Sequence, residues 1–239
     1  MLGQPWAFDQ TMMQEEHSKP SQREETSHSP EEHVRIIGTP PEERNSRAHW
    51  EERYSEGGGP QTEEPHPWLV WHRWRLPEKG RALDVACGMG RDTLFLARQG
   101  LHVHGLDFSA QALHRARERV WLTGLESRVQ FILADATQFA FPRAYYDVVV
   151  VFSYWEPRIL SDLKATLKPG GLLIYETFNI WWKRRRPHIQ DKFLVQPGEM
   201  LDWLKDWHVL AYRELGSDHF QGEIFRPVSS IVARKPRPK

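Results

Sequence analysis

Ala82-Leu83-Asp84-Val85-Ala86-Cys87-Gly88-Met89-Gly90-Arg91-Asp92 is the stretch that decides the fold. It reads as a buried strand, a glycine turn and the start of a helix. Glycines at a helix N-terminus let backbone N–H groups approach a ligand closely. Seventeen residues past Gly90, a second apolar run ends in an acid, Gly105-Leu106-Asp107. An acid at the tip of the next strand is placed to grip a ribose diol. The two features together describe a nucleoside-cofactor site on a doubly wound sheet.

Outward from this pair, the pattern alternates. Strands are expected at Arg81–Ala86, Val103–Asp107, Val129–Leu133, Asp147–Phe152 and Leu172–Tyr175. Helices are expected at Asp92–Arg98, at Ser109–Leu122 with Ser109 as its cap, and at Pro157–Leu167. Val148-Val149-Val150-Val151 fits a parallel strand buried on both faces. Lys168-Pro169-Gly170-Gly171 reads as a turn. Near the C-terminus, Pro197–Trp203 reads as a helix. Trp207–Glu214 and Val228–Arg234 read as two strands with no helix between them, hence an antiparallel hairpin at the sheet edge. The fold class is therefore α/β: a doubly wound, seven-stranded, mostly parallel sheet closed by an antiparallel C-terminal hairpin.

Upstream, residues 1–48 are rich in Glu, Gln, Ser, Pro and Arg and poor in apolar anchors. Such a segment buries too little surface to offset its ordering entropy, so a disordered tail is expected there and one domain over 49–239. A Gly-Gly-Gly-Pro linker stands at 57–60, followed by a Trp-rich helix over about 66–75. The tryptophans at 68, 71, 74, 181, 182, 203 and 207 are expected in the core or in pocket walls. Formal net charge is zero, so no global field argues for nucleic acid or membrane. The single Cys87 excludes a disulfide framework and a multi-cysteine zinc site, and fits a reducing cytoplasm; no metal is expected. No apolar run approaches the ~20 residues of a spanning helix.

Four further features follow the glycine turn in order. They are Asp107, then Ala134-Asp135-Ala136 where a carboxylate and an N–H can read an adenine edge, then Tyr146-Asp147-Val148-Val149, then Leu167-Lys168-Pro169-Gly170-Gly171-Leu172-Leu173. With these residues the chain resembles the class I S-adenosylmethionine-dependent methyltransferases over about 50–239. A dinucleotide-binding dehydrogenase is the competing reading, but its fingerprint wants a third glycine where this chain has Thr93. Cys87-Gly-Met-Gly-Arg-Asp-Thr-Leu-Phe-Leu96 is similar to the tellurite-resistance and thiopurine methyltransferase branch, and Trp203–Glu214 with Val232–Lys235 resembles the end of the tellurite-resistance type.

The resemblance implies the class I Rossmann-like fold, S-adenosylmethionine as cofactor and S-adenosylhomocysteine as product. It places Asp84, Cys87, Gly88 and Gly90 around the methionine part and Asp107 on the ribose hydroxyls. Phe108 would flank the adenine, Asp135 and Ala136 bind it, and Phe152 and Ser153 sit beside the sulfonium. Cys87 also reads as a small packing residue, and Asp84 as a buried acid that orders the loop.

The acceptor is less legible. A base is needed only for a protonated acceptor, and Glu156 and Glu176 are the candidates. Trp50, Tyr54, Tyr154 and Arg184 are weaker candidates for substrate contact. Strand four runs into Ser153-Tyr154-Trp155-Glu156, not the Asn/Asp-Pro-Pro-aromatic motif of enzymes acting on base amines. The loop 181–188, Trp-Trp-Lys-Arg-Arg-Arg-Pro-His, could hold a small anion or an RNA strand. The favoured acceptor is a small molecule: a thiol, a chalcogen oxyanion or another small anion. An RNA or protein methyltransferase and a non-catalytic S-adenosylmethionine-binding protein stay as alternatives. The oligomeric state is open.

Overall fold

The computed structural model describes residues 34–36, 50, 54, 64–187, 189–216 and 226–238. The remainder of the 1–48 segment, Glu51–Arg53, the 57–60 linker and His188 lie outside the described residues.

Eight strands form one sheet: β1 (Val34–Ile36), β2 (Arg81–Val85), β3 (His102–Asp107), β4 (Val129–Leu133), β5 (Tyr146–Phe152), β6 (Leu167–Phe178), β7 (His208–Glu214) and β8 (Val228–Arg234). Their order is β1-β4-β3-β2-β5-β6-β8-β7. Strands β1 to β6 pair parallel; β8 runs antiparallel to β6, and β7 antiparallel to β8. The seven expected strands are present, hairpin included. The additional β1 is a three-residue edge strand inside the segment expected to be a tail.

Alternation along β5 sorts the valines into two cores. Val148 and Val150 pack on one face with Leu69, Leu96, Leu113 and Ala116. Val149 and Val151 pack on the other with Ile159, Leu163, Met200 and Leu204. The first face is covered by α1 (Pro67–Trp71), α2 (Arg91–Arg98) and α3 (Ala110–Trp121), the second by α4 (Leu160–Thr166) and α5 (Glu199–Trp203). Ser109 caps α3, its Oγ accepting from the Ala112 N–H at 3.1 Å, as its residue type requires.

Four local expectations are corrected. The Trp-rich helix is one α-helical turn, which passes into a 3-10 turn at Arg73–Arg75. Trp71 and Trp74 are exposed there, not core; Arg213 lies over the Trp71 ring and Arg75 over Trp74. Lys168–Gly171 is not a separate turn but the bulged start of β6, because Gly170 N–H donates to Lys235 O and Lys235 N–H to Gly171 O. The expected Pro157–Leu167 helix begins as a 3-10 turn at Pro157–Ile159.

The chain winds outward from β2 through β3 to β4, then returns to lay β5 against the other side of β2. That reversal opens a crevice at the carboxyl ends of the strands. Because β2 to β6 are parallel, the glycine loop, Asp107, Asp135, Phe152 and Glu176 all follow or close their strands at this one edge.

Candidate functional site

The loop after β2 is wound by three residues of positive φ, Ala86 (57°), Gly88 (52°) and Gly90 (73°). Glycine is needed where Cβ has no room. A Cβ on Gly88 would stand 2.9 Å from the Tyr54 hydroxyl, and one on Gly90 3.0 Å from the Ala116 Cβ. Tyr54, read above as a substrate contact, therefore lies over the glycine loop, stacked on Trp50 at 5.8 Å and packed with Met89 and Ala112. Gly88→Ala is expected to cost about 1–2 kcal/mol from left-handed strain alone and to push Tyr54 off the loop. A chemical denaturation series against wild type measures it.

Asp107 locks the loop to the next strand. Its Oδ2 accepts the Gly88 N–H at 2.7 Å and its Oδ1 the Ser109 N–H at 2.9 Å. Only 6% of the residue is exposed, so the carboxylate is fixed before any ligand arrives. A carboxylate oxygen carries more than one acceptor site, so ribose hydroxyls can still donate to it. Phe108 follows, half-buried. Asp135, after β4, folds into its own turn, Oδ1 accepting from the Thr137 N–H and hydroxyl, both at 2.8 Å; Ala136 beside it is partly buried. Phe152 ends β5, and the exposed Ser153 takes φ 57° with its N–H on Glu176 O at 2.9 Å.

Asp84 stands near the end of β2, just before this loop. It is almost fully buried and accepts the Thr93 hydroxyl at 2.6 Å. Burial, then the nearby Asp92 charge, holds its carboxyl well above the usual range. A group whose folded pKa is raised binds more protons in the native state. Stability therefore falls as pH climbs from 3.8 through the raised value. Asp84→Asn, which keeps the acceptor for Thr93, is expected to flatten this slope and to gain stability relative to wild type at pH 8 but not at pH 4. Thermal unfolding across pH tests it. Cys87 is buried and its thiol is pushed well up, by burial first and then by Asp84 and Asp107. A buried, protonated thiol is suited to packing rather than to attack.

The two candidate bases have partners. Glu156 binds Arg158 through Nε at 2.8 Å and Nη2 at 2.7 Å. Glu176 is buried in a row across four strands, Phe152, Glu176, Ser230 and Arg213, which the registers of β5, β6, β8 and β7 bring side by side. It accepts from Arg213 Nη2 at 2.6 Å and from the Ser230 hydroxyl. Tyr154 is partly buried, its hydroxyl pushed up by burial first and then by Glu156, Asp135 and Asp107. Arg184 ends the 3-10 turn Ile180–Arg184 and is exposed with Arg185 and Arg186; Trp182 stacks on Phe178 at 4.9 Å, and Lys183 pairs with Asp191.

Sequence reasoning missed His66. Its ring stacks on Phe152 at 4.2 Å, its Nε2 stands 3.4 Å from Glu176 Oε1, and its backbone N–H donates to Asp92 Oδ1 at 2.6 Å. A single histidine before a Trp-rich turn carries no pattern that would announce this.

Among the described residues no cluster could hold a metal ion, and no helix is long and apolar enough to cross a membrane. A family described as a methyltransferase domain matches residues 82–171. A ubiquinone biosynthesis O-methyltransferase of Azoarcus sp. (strain BH72) is 35% identical over 174 residues, covering 64% of this chain and 71% of that protein. The chain spans under half the length of the first curated relatives it matches, 47%, 40% and 41%. In fold it is similar to a Haemonchus contortus phosphoethanolamine N-methyltransferase 2 solved with S-adenosyl-L-methionine. The TM-score is 0.61 at 18% identity, covering 78% of this chain and 57% of that one. TehB from Haemophilus influenzae gives 0.58 at 21% identity, covering 77% and 67%.

Proposed function

The chain belongs to the class I S-adenosylmethionine-dependent methyltransferases, and on that premise we propose that it methylates a small-molecule acceptor. The observation that carries the reading is the Asp107 carboxylate, clamped by the Gly88 and Ser109 amides at the carboxyl end of β3, beside a loop with no room for a Cβ. S-adenosylmethionine fits this donor set. Asp107 would accept from its ribose hydroxyls, Phe108 flank its adenine, and Asp135 and Ala136 read the adenine edge. Gly88 and Gly90 would admit the methionine part under Tyr54, and Phe152 and Ser153 would border the reacting end.

The cofactor supplies a methyl group already activated on a sulfonium. The protein's part is to align a nucleophile with that methyl and to exclude water. Acidity of the acceptor decides whether a base is also needed.

The acceptor is proposed as a thiol, a chalcogen oxyanion, a hydroxyl compound or another small anion. Oxygen gains support from the name of the Azoarcus relative, and the tellurite-resistance and thiopurine branch from the wording of Cys87–Leu96. A reducing cytoplasm suits the single, thiol-state Cys87. A second reading, methylation of RNA, is favoured by the three consecutive exposed arginines 184–186 next to Trp182. S-adenosylhomocysteine release from a panel of thiols, tellurite, selenite, phenols and transfer RNA decides between them. Turnover of a small molecule is expected, unchanged by Arg184→Glu with Arg185→Glu. Turnover of RNA alone, lost in that double variant, would overturn the small-molecule reading.

A further inference from the structure

The four-strand row Phe152, Glu176, Ser230, Arg213 does more than close a core. Glu176 is buried, and the Arg213 guanidinium and the Ser230 hydroxyl fix one carboxylate oxygen, Oε2. The other, Oε1, faces His66 Nε2 at 3.4 Å. The imidazole is held on a further side by its ring stack on Phe152, and the backbone N–H of His66 donates to Asp92 Oδ1. Phe152 closes β5 next to the crevice, so the ring stands where the reacting end of a bound nucleoside cofactor would lie. An N–H on Nε2 turned to Glu176 leaves the lone pair on Nδ1, and that atom is buried with no hydrogen-bond partner among the described residues. A buried imidazole nitrogen without a partner costs stability unless a ligand supplies one. A carboxylate that orients one ring nitrogen so that the other can take a proton is the arrangement of a general base.

We infer that His66 is the general base of this site, held in place by Glu176, and that the acceptor is a protonated nucleophile, a hydroxyl or a thiol; this rests on the methyltransferase reading above. As the acceptor's oxygen or sulfur bonds to the methyl carbon, the carbon–sulfur bond of the sulfonium breaks and its electron pair stays on sulfur. The acceptor's proton passes to His66 Nδ1, and the resulting imidazolium is compensated by Glu176. Charge is conserved: one sulfonium is lost and one imidazolium is gained, which then releases its proton to water.

The surroundings fix the protonation state of the ring. Burial, with the guanidiniums of Arg91 on α2, Arg213 on β7 and Arg226 before β8, lowers the imidazole to about 3. Glu176 on β6 is the acid that faces the ring, and Asp92 on α2 accepts the His66 backbone N–H. The ring is therefore neutral, with a lone pair ready, wherever the protein is folded near neutral pH.

The test uses the full chain, a panel of phenols and benzenethiols of graded acidity, and S-adenosylhomocysteine release as readout; cofactor affinity is measured separately by calorimetry. Wild type is expected to methylate members of the panel. His66→Gln is expected to lower kcat by roughly 100-fold or more while cofactor Kd changes less than about threefold. Its residual rate should climb about tenfold per pH unit up to the acceptor's own pKa, as ionised acceptor replaces the missing base. Glu176→Gln should lower kcat less and leave the wild-type pH profile in shape. Equal rates and an unchanged pH profile in His66→Gln would overturn the inference. So would wild type that binds cofactor yet methylates no panel member, or only a thioether or a pyridine nitrogen, which have no proton to lose. Wild type that binds no cofactor would overturn the methyltransferase reading itself, and that outcome is separately visible in the calorimetry.

Discussion

Replacing Glu176 by alanine is expected to cost about 3 kcal/mol of folding stability, the low end for stripping one partner from a buried ion pair. Arg213 is the reason. Its guanidinium lies over the rings of Trp68 at 4.5 Å and Trp71 at 5.0 Å, with Nε on the Ser230 Oγ at 3.0 Å. It has no second carboxylate among its described partners. Its side chain is 23% exposed, which lets water repay part of the loss and keeps the figure at the low end. In a chain of this size the change corresponds to a fall in Tm of about 6–12 °C. Arg158→Ala, which removes the exposed arginine of the pair with Glu156, should move stability by less than about 1 kcal/mol. Scanning calorimetry of both variants checks the contrast; equal shifts would mean that the four-strand row is not a stabilising unit.

Asp107→Ala should weaken S-adenosylmethionine binding by at least about 100-fold. Two charge-assisted hydrogen bonds to ribose hydroxyls are worth about 1.5–3 kcal/mol each, and tenfold in affinity is about 1.4 kcal/mol. The same substitution strands the Gly88 and Ser109 amides in a buried position, so the glycine loop loses its tie to β3. Stability should fall by about 1–3 kcal/mol for each stranded amide. Asp107→Asn keeps one acceptor and separates the effects: it should recover part of the stability but little of the affinity. Equilibrium dialysis with labelled cofactor, beside denaturation curves, measures both quantities.

Which parts of this were readable in the sequence follows from the range of the interactions. The parallel strands announced themselves through apolar runs, and the α3 cap through Ser109, because both signals are local. The glycine loop and Asp107 were readable because their chemistry needs fixed residue types at fixed spacing. The bulged start of β6 was not, since Pro-Gly-Gly normally breaks a strand. Here the tail around Lys235, over sixty residues away, supplies its hydrogen bonds. Trp71 and Trp74 defeated the expectation that tryptophan is buried: each stays exposed at the surface with one arginine stacked on its ring. Tyr54 and His66 stand before the glycine motif in the chain, and only the fold brings one over Gly88 and the other onto Phe152. Glu176 was visible as an acid at a strand end, but its partners come from three separate elements, so its role was not.

The central claim is that the crevice between the glycine loop and Asp107 binds a nucleoside sulfonium cofactor. Calorimetric titration of S-adenosylhomocysteine into the wild-type protein tests it most directly. Saturable binding at one site per chain, in the micromolar range or tighter, is the predicted result. A folded protein that takes up no S-adenosylhomocysteine at millimolar concentration would contradict it.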